Sequence, residues 1–266
     1  MALTTPEPTP GPTPGQTPDP KPGPEPRPGS EPRPESHTAA APGRHQEFAI
    51  EPTRKVGYRV LRATFTALLT VWFRPHVVGK EHVPATGPVI LAPVHRSFAD
   101  FGFTAFCTRR KLFFMAKDSL WKNKWLGKLL LYVGSFPVHR ESADREALQR
   151  AEEVLNRGQC LVLFPEGTRR EGAAIENLME GAAFLSARTG APIVPIGIGG
   201  SDLSMPKGRA IPKPIRIQVV IGPALAPPAR TGGGRVSRSA VHVTTEALVE
   251  QLQAVYDEAK RKTGRY

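Results

Sequence analysis

The stretch CLVLFPEGTRR, residues 160–170, joins an apolar run to a polar cluster with no spacer between them. Five apolar residues in a row are typical of a buried strand. In the cluster that follows, Gly167 allows a close backbone turn, Thr168 supplies a hydroxyl and Arg169 offers a planar fork that suits phosphate. A strand that ends this way can present hydrogen-bond donors to an anionic group. The alternative is a surface turn in which Glu166 pairs with a neighbouring arginine.

Similar apolar runs recur along the chain and alternate with segments of helical pattern. Between two of them, Ser142 is the predicted N-cap of a helix that ends just before Gly158, and a last helix is predicted over Val241–Lys262. This alternation predicts a single α/β domain, with a mostly parallel or mixed sheet flanked by helices. The predicted strands are residues 88–94, 111–116, 135–138, 160–164, 192–198 and 215–221.

The N-terminal segment has a different composition from the rest of the 266-residue chain. Residues 1–44 contain 14 of the 29 prolines and few bulky apolar residues. Such a segment cannot bury enough surface to offset its ordering entropy, so residues 1–45 are predicted to be a disordered tail. It contributes −1 to the net charge of +12, so the remainder carries +13.

The surplus of positive charge favours an anionic partner, which could be nucleic acid, an acidic lipid surface or a phosphorylated substrate. We expect no nucleic-acid partner, because no recognition helix, stacking-aromatic strand or Lys/Arg tract is evident. Cys107 and Cys160, the two cysteines, lie in apolar contexts and are predicted core residues. No signal-peptide pattern opens the chain, and a cytoplasmic location is expected.

An amphipathic helix is predicted within residues 46–75. Leu61, Phe65, Leu68, Leu69 and Trp72 share one helical face, and basic residues lie just upstream. The apolar core of this segment is shorter than the roughly 20 residues that span a bilayer. The pattern fits a helix lying in a membrane interface, and equally a helix that covers the core of the domain.

A second polar cluster, VHRSFADFG, follows the predicted strand at residues 88–94 and places His95 five residues before Asp100. That spacing does not align two side chains on a straight helix. If His95 precedes the helix and Asp100 lies in its first turns, however, the bend can bring the carboxylate onto the imidazole. The carboxylate would fix the tautomer and leave the other ring nitrogen as a base. A structural or capping role is the alternative.

Taken in order, these clusters resemble the glycerophospholipid acyltransferase family, that of the 1-acyl-sn-glycerol-3-phosphate acyltransferases. The resemblance spans residues 77–222 and rests on four motifs, with AKDSL at 116–120 similar to a further family segment. The His-x4-Asp motif alone is weak, but all four motifs in this order and separation make the resemblance specific. The four are HRSFAD at 95–100, GSFPVHR at 134–140, FPEGTR at 164–169 and IVPI at 193–196.

The resemblance implies an acyltransferase domain over residues 76–266 that moves a fatty acyl group from a thioester to lysophosphatidic acid, forming phosphatidic acid. It implies no metal and no cofactor, with acyl-CoA or acyl carrier protein supplying the acyl group. His95 would be the base and Asp100 its orienting partner. The acceptor phosphate would be bound by Arg140, Glu166, Gly167, Thr168, Arg169 and Lys117, and the acyl-donor pocket would include Val194 and Pro195.

The sequence departs from the family pattern on the acceptor side. His139 stands where Asp is common, and Ser119 stands where Glu is common. Another lysophospholipid or polar acceptor is therefore the main alternative, and a non-catalytic lipid- or nucleic-acid-binding protein is a remote one. Electrostatic attraction between the basic helix and acidic lipids would place the protein peripherally on the inner face of the cell membrane.

Overall fold

A computed structural model describes residues 55–138, 144–206, 211–228 and 237–264. The predicted tail over residues 1–45, Ser142 and the predicted phosphate ligand Arg140 lie outside these ranges, so the tail and the role of Arg140 stay predictions.

Seven helices and seven strands make up the described part of the chain, apart from short 3₁₀ turns. The helices are α1 (Lys55–Phe73), α2 (Asp100–Phe103), α3 (Lys124–Tyr132), α4 (Arg145–Asn156), α5 (Gly181–Thr189), α6 (Ser201–Ser204) and α7 (Arg238–Thr263). The strands are β1 (His76–Val78), β2 (Val89–Pro93), β3 (Leu112–Lys117), β4 (Ser135–Val138), β5 (Cys160–Val162), β6 (Ile193–Gly199) and β7 (Gln218–Ile221).

The strands form one mixed sheet in the order β1-β7-β6-β2-β5-β3-β4. Strands β2 to β6 are mutually parallel, whereas β7 pairs antiparallel with β6 and parallel with β1. The predicted α/β fold is confirmed. Because five strands run the same way, their carboxyl ends meet at one edge of the sheet, where open α/β sheets bind ligands.

Both faces of the sheet are buried, and successive residues of β2 show it. Val89 and Leu91 belong to one apolar cluster, while Ile90 and Ala92 belong to the cluster on the other face. Side chains alternate across a strand, so a continuous apolar run is what a sheet covered on both faces requires. The sequence patterns at residues 88–94 and 192–198 reflect this burial.

Most predicted element boundaries differ from the observed ones by one to three residues, as at β7, which begins at Gln218 rather than at residue 215. Strand β5 ends at Val162, two residues earlier than predicted, and β1 was not predicted because three residues carry too little pattern. Helix α4 is capped by Asp144 and not by the predicted Ser142, because the helix begins at Arg145 and the Asp144 side chain accepts the Ala147 N–H at 2.9 Å. Gly158 does follow the helix end in the left-handed conformation, as predicted.

Helix α7 packs directly against the backbone of β6. A Cβ placed on Gly197 would lie 2.2 Å from the Val255 carbonyl oxygen, and one on Gly199 would lie 2.4 Å from that of Ala259. Only a strand without side chains at these two positions admits a helix so close. This contact fixes α7 relative to the strand that borders β2.

The predicted amphipathic helix is present as α1, and it contacts the domain through α2. A Cβ on Gly102 would lie 3.1 Å from Leu69 and 3.2 Å from Phe65, and Phe73 packs edge-on against Phe103. Much of the helix still faces outward, with Leu68 65% and Val71 79% exposed. Among the described residues, no helix is both long and apolar enough to span a bilayer.

Candidate active site

The predicted polar clusters lie at the shared carboxyl edge of the parallel strands. His95 follows β2, the FPEGTRR segment follows β5, and Lys117 ends β3. Since β5 lies between β2 and β3, these three segments are neighbours in space. The prediction that these polar residues follow strand ends is confirmed, and the strand order, which the sequence left open, makes them neighbours.

His95 and Asp100 are in contact as the bend hypothesis required. His95 precedes α2, Asp100 is its first residue, and Nδ1 of the imidazole lies 3.3 Å from Oδ2 of the carboxylate. Because a carboxylate only accepts, this contact places the proton on Nδ1 and leaves the Nε2 lone pair available. The His95 side chain is 12% exposed and its ring packs on Phe164, with centroids 4.3 Å apart. The ring is held in place but still reachable.

The Asp100 carboxylate is held by backbone N–H groups of the loop between β2 and α2. Its side chain is 0% exposed, and Oδ2 also accepts the N–H groups of Arg96 at 2.7 Å and Ser97 at 2.6 Å. Two backbone donors and the imidazole therefore converge on one oxygen of the buried carboxylate. The loop between β2 and α2 thus folds around one carboxylate oxygen. This fold brings the His95 imidazole and the Asp100 carboxylate into contact despite their spacing of five residues.

Glu166 does not face the open site; it is 2% exposed and holds the His95 segment in place. Its Oε1 accepts the His95 N–H at 2.7 Å, and its Oε2 forms an ion pair with the Arg96 guanidinium. Both carboxylate oxygens are therefore used inside the protein. The alternative that the sequence left open for Glu166, pairing with a neighbouring arginine, is the observed arrangement, although the pair is buried rather than on the surface.

Arg96 is the site residue that the sequence did not single out. It is 5% exposed, its Nη2 donates to the Ala174 carbonyl at 3.0 Å, and its guanidinium lies 5.2 Å from the ring centroid of Tyr256 on α7. Burial raises the pKa of the Tyr256 hydroxyl to about 12, so that group stays neutral. Arg96 therefore joins β2, the loop after β5 and α7 through one side chain.

The loop after β5 turns back toward β2. Thr168 N–H bonds to the Glu166 carbonyl at 2.7 Å, and Arg170 N–H bonds to the His95 carbonyl at 2.9 Å. Gly167 sits at the turn with φ +68°, and a Cβ there would lie 2.5 Å from the Met179 sulfur, so glycine is required. The side chains of Thr168, Arg169 and Arg170 are exposed.

Arg169 and Arg170 line a cavity of about 340 Å³ that also reaches Asp202 and Pro206, which follow β6. The exposed Lys117 lies at the end of β3, on the other side of β5. The predicted cations are thus brought to the same edge of the sheet but not to a single point.

Val194 and Pro195 are not brought to that edge. Both are buried within β6, opposite Leu91 and Ala92 of β2 and therefore short of the strand ends. Their side chains are part of the sheet interior, and the acyl-donor pocket at these two residues stays a prediction.

Residues 74–199, which contain the His95–Asp100 pair and the loop after β5, match the family model named Acyltransferase. This segment is an acyltransferase-family domain.

Curated relatives of the acyltransferase domain carry one activity in their names. The 1-acyl-sn-glycerol-3-phosphate acyltransferase of Bacillus subtilis is 28% identical over 154 residues, covering 56% of this chain and 72% of the relative. That of Pseudomonas aeruginosa is 28% identical over 184 residues, covering 68% and 69%. One from Chlamydomonas reinhardtii is 27% identical over 160 residues, but the match covers 59% of this chain and only 48% of the relative. The chain thus spans about half the length of some relatives.

The acyltransferase domain also resembles a solved structure. The crystal structure of the 1-acyl-sn-glycerophosphate (LPA) acyltransferase PlsC from Thermotoga maritima matches with a TM-score of 0.60 at 23% identity, covering 75% of this chain and 78% of that one. This likeness supports the mixed α/β fold.

The two cysteines of the domain are buried core residues, as predicted. Cys107 and Cys160 are 1% and 0% exposed, and burial raises the pKa of each thiol to about 12. Thiols that stay protonated are poor nucleophiles. His95 is therefore better placed than either cysteine to act on a substrate.

Proposed function

We propose that the protein transfers a fatty acyl group from a thioester to the sn-2 hydroxyl of 1-acyl-sn-glycerol-3-phosphate, forming phosphatidic acid. The observation that carries the proposal is the His95–Asp100 contact, with Nδ1 bound at 3.3 Å and the rest of the ring reachable at the strand edge. The names of the Bacillus and Pseudomonas relatives supply the acceptor.

In the proposed reaction, Nε2 of His95 accepts the proton of the acceptor hydroxyl while the hydroxyl oxygen attacks the thioester carbonyl carbon. The C–O bond forms, the C–S bond breaks, and the thiolate leaves with the proton that His95 returns. Asp100 stabilises the imidazolium that forms between these steps. The products are the ester and a free thiol, and the steps use no metal, cofactor or covalent enzyme intermediate.

Positioning of the acceptor is assigned to cations and to the turn after β5. Lys117 ends β3 and Arg169 follows β5, so both lie at the strand edge where a phosphate would bind. Arg140, which lies outside the described residues, is a further proposed ligand. Thr168 adds a hydroxyl, and Gly167 allows the close turn that presents it. Glu166 contributes indirectly, because its carboxylate holds Arg96 and the His95 backbone.

A substrate panel tests the acceptor. We expect thiol release from palmitoyl-CoA to require lysophosphatidic acid, and Lys117→Ala to raise the KM for lysophosphatidic acid about tenfold, since an arm of the phosphate clamp is lost. Lysophosphatidylcholine, lysophosphatidylglycerol and glycerol-3-phosphate are the competing acceptors, and acyl carrier protein is the competing carrier. Release that depends on another acceptor would assign the alternative function that His139 and Ser119 suggest.

We also propose that α1 rests on an anionic membrane, on the inner face of the cell membrane. Its outward residues include Val56, Val60, Leu68 and Val71, and an open cavity of about 890 Å³ beside it is lined by Arg62, Lys80 and Arg109 among others. Exposed apolar side chains next to basic residues are the features of an interfacial helix.

Sedimentation with phosphatidylglycerol vesicles tests the docking of α1. The double variant Leu68→Glu with Val71→Glu should weaken vesicle binding tenfold or more, because it replaces two exposed apolar groups that would enter the lipid with negative charges. Val243→Glu is a matched control, since Val243 is a 58% exposed apolar residue on α7. Equal sedimentation of the wild type, the double variant and Val243→Glu would exclude α1 as the membrane contact.

A further inference from the structure

Helix α3 carries large apolar side chains on the surface of the protein. Trp125 is 82% exposed and Leu129 is 48% exposed, and Leu126 is also exposed. Because each residue of a helix turns by about 100°, positions 125, 126 and 129 fall on one side of α3. The opposite side packs inward, since a Cβ on Gly127 would lie 2.9 Å from the ring of Trp121. The outward side of α3 is therefore an apolar surface that the described part of the chain leaves uncovered.

Lysines border this apolar surface. Lys122, Lys124 and Lys128 are exposed, and Nζ of Lys128 lies 5.5 Å from the ring centroid of Trp125. Between residues 117 and 132 the sequence has four lysines and a single acidic residue, Asp118. Tryptophan and leucine on one side of a helix, with lysines beside them, form the pattern of a helix that lies in the interface of an anionic membrane.

Helix α3 lies on the same face of the sheet as α1. The connections from β2 to β3 and from β3 to β4 both advance toward the β4 edge, so right-handed crossovers place α2 and α3 on one face. Helix α1 packs on α2 through Gly102. The side chain of Lys111 joins the ends of the two long helices: its Nζ lies 5.9 Å from the ring centroid of Tyr58 on α1, and its Cε would lie 3.3 Å from a Cβ on Gly134, just after α3.

Aromatic side chains extend this face to the loop that carries the base. Phe65 of α1 stacks on Phe101 with ring centroids 6.2 Å apart, and Phe101 meets Phe98 edge-on at 5.5 Å. All three rings are exposed, and Phe98 is three residues from His95. Exposed apolar side chains on α1, on α2 and on α3 thus belong to one face of the protein.

We infer that α3 is a second membrane contact, in which Trp125, Leu126 and Leu129 enter an anionic lipid interface and the neighbouring lysines meet its headgroups. The inference rests on the proposed function, whose acceptor is a membrane lipid, and adds a contact that α1 does not supply. One interfacial helix leaves the domain free to rotate about the helix axis, whereas two helices on one face fix that face against the bilayer. An acidic protein would match the lysines, but the position of α3 beside α1 favours lipid.

Sedimentation with phosphatidylglycerol vesicles tests the contact. Trp125→Glu and Leu129→Glu are each expected to weaken vesicle binding about tenfold, because each replaces an apolar group that enters the lipid with a negative charge. Trp125→Phe keeps an aromatic ring and should bind nearly as well as wild type. Val243→Glu, which adds the same charge to an exposed position on α7, is the matched control and should bind as wild type does. Equal binding by all of these proteins would overturn the inference.

Tryptophan fluorescence locates Trp125 directly. The chain has three tryptophans, so the emission of wild type minus that of Trp125→Phe isolates the emission of Trp125. In phosphatidylglycerol vesicles this difference should fall about twofold when brominated phosphatidylcholine replaces ordinary phosphatidylcholine, since an interfacial side chain reaches the brominated acyl chains. An unchanged difference would place Trp125 outside the lipid and overturn the inference.

Kinetics show whether the α3 contact acts through the membrane. With lysophosphatidic acid carried in vesicles, Trp125→Glu should raise the KM about tenfold, because less enzyme reaches the lipid surface. With hexanoyl lysophosphatidic acid dissolved as monomers, the KM of Trp125→Glu should equal that of wild type. A rise with both acceptors would overturn the inference and assign Trp125 to the acceptor site. Unchanged vesicle binding together with weakened binding to acyl carrier protein would also overturn it, and would assign α3 to that carrier.

The vesicle measurements need no turnover, so failure of this inference and failure of the proposed function are distinguishable. If wild type transfers no acyl group to lysophosphatidic acid, the proposed function fails, and sedimentation and quenching still decide the role of α3. If wild type is active but Trp125→Glu and Leu129→Glu sediment as wild type does, the membrane contact of α3 fails and the proposed function stands.

Discussion

His95→Ala is expected to lower kcat for acyl transfer by about a thousandfold, because a positioned general base contributes roughly 10²–10⁴ to the rate. The KM for both substrates should change little, since the imidazole acts on the proton rather than on the phosphate or the acyl chain. Thiol release from palmitoyl-CoA with saturating lysophosphatidic acid measures the effect. The free energy of unfolding should be nearly unchanged, as the ring makes one polar side-chain contact.

The matched control for His95 is His242→Ala. His242 lies on α7, is 64% exposed and faces Glu180 and Glu246, so its carboxylate neighbours lie before α5 and on α7 rather than in the loop after β2. Full activity is expected for this control. If His95→Ala kept most of its activity, the base would have to be another group and the proposed mechanism would be wrong.

Glu166→Gln should destabilise the protein by about 3–5 kcal/mol, because it leaves the buried Arg96 charge without its partner. Activity should fall in the molecules that remain folded, since Glu166 also holds the His95 N–H at 2.7 Å. Urea unfolding followed by fluorescence measures the loss of stability. The loss of activity is measured as kcat at urea concentrations below the unfolding transition.

Two further variants test whether the destabilisation by Glu166→Gln comes from the unpaired charge of Arg96. Glu153→Gln breaks an exposed pair with Arg157 and should cost less than about 1 kcal/mol. The double variant Glu166→Gln with Arg96→Met removes both charges of the buried pair, so much of the stability should return. Equal destabilisation by Glu153→Gln and Glu166→Gln would show that burial of the Arg96 pair has no energetic role.

Local pattern was enough to predict the strands that position the site. The apolar runs at 88–94 and 192–198 are continuous because β2 and β6 are buried on both faces, and the polar residues begin where those runs stop. The His95–Asp100 contact was also predictable, because both residues lie in one short loop whose bend follows from a helix beginning at Asp100.

Long-range contacts could not be predicted from pattern. Arg96 and Glu166 are 70 residues apart, and nothing local distinguishes a buried, paired arginine from the exposed Arg169. The direction of the loop after β5 depends on the Arg170 N–H bond to His95, a contact without a sequence signature. The interior position of Pro195 followed from register with β2, which a single strand does not reveal.

The close packing of α7 on Gly197 and Gly199 bears on where the folding unit ends. The family match stops at residue 199, yet β6 is paired on one side by β7 and covered by α7, both beyond that point. A fragment cut at residue 199 would expose a fully apolar strand and an unpaired sheet edge, the features that promote aggregation. It would also remove Tyr256, against which Arg96 rests. The smallest autonomous unit is therefore longer than the segment by which the family is recognised.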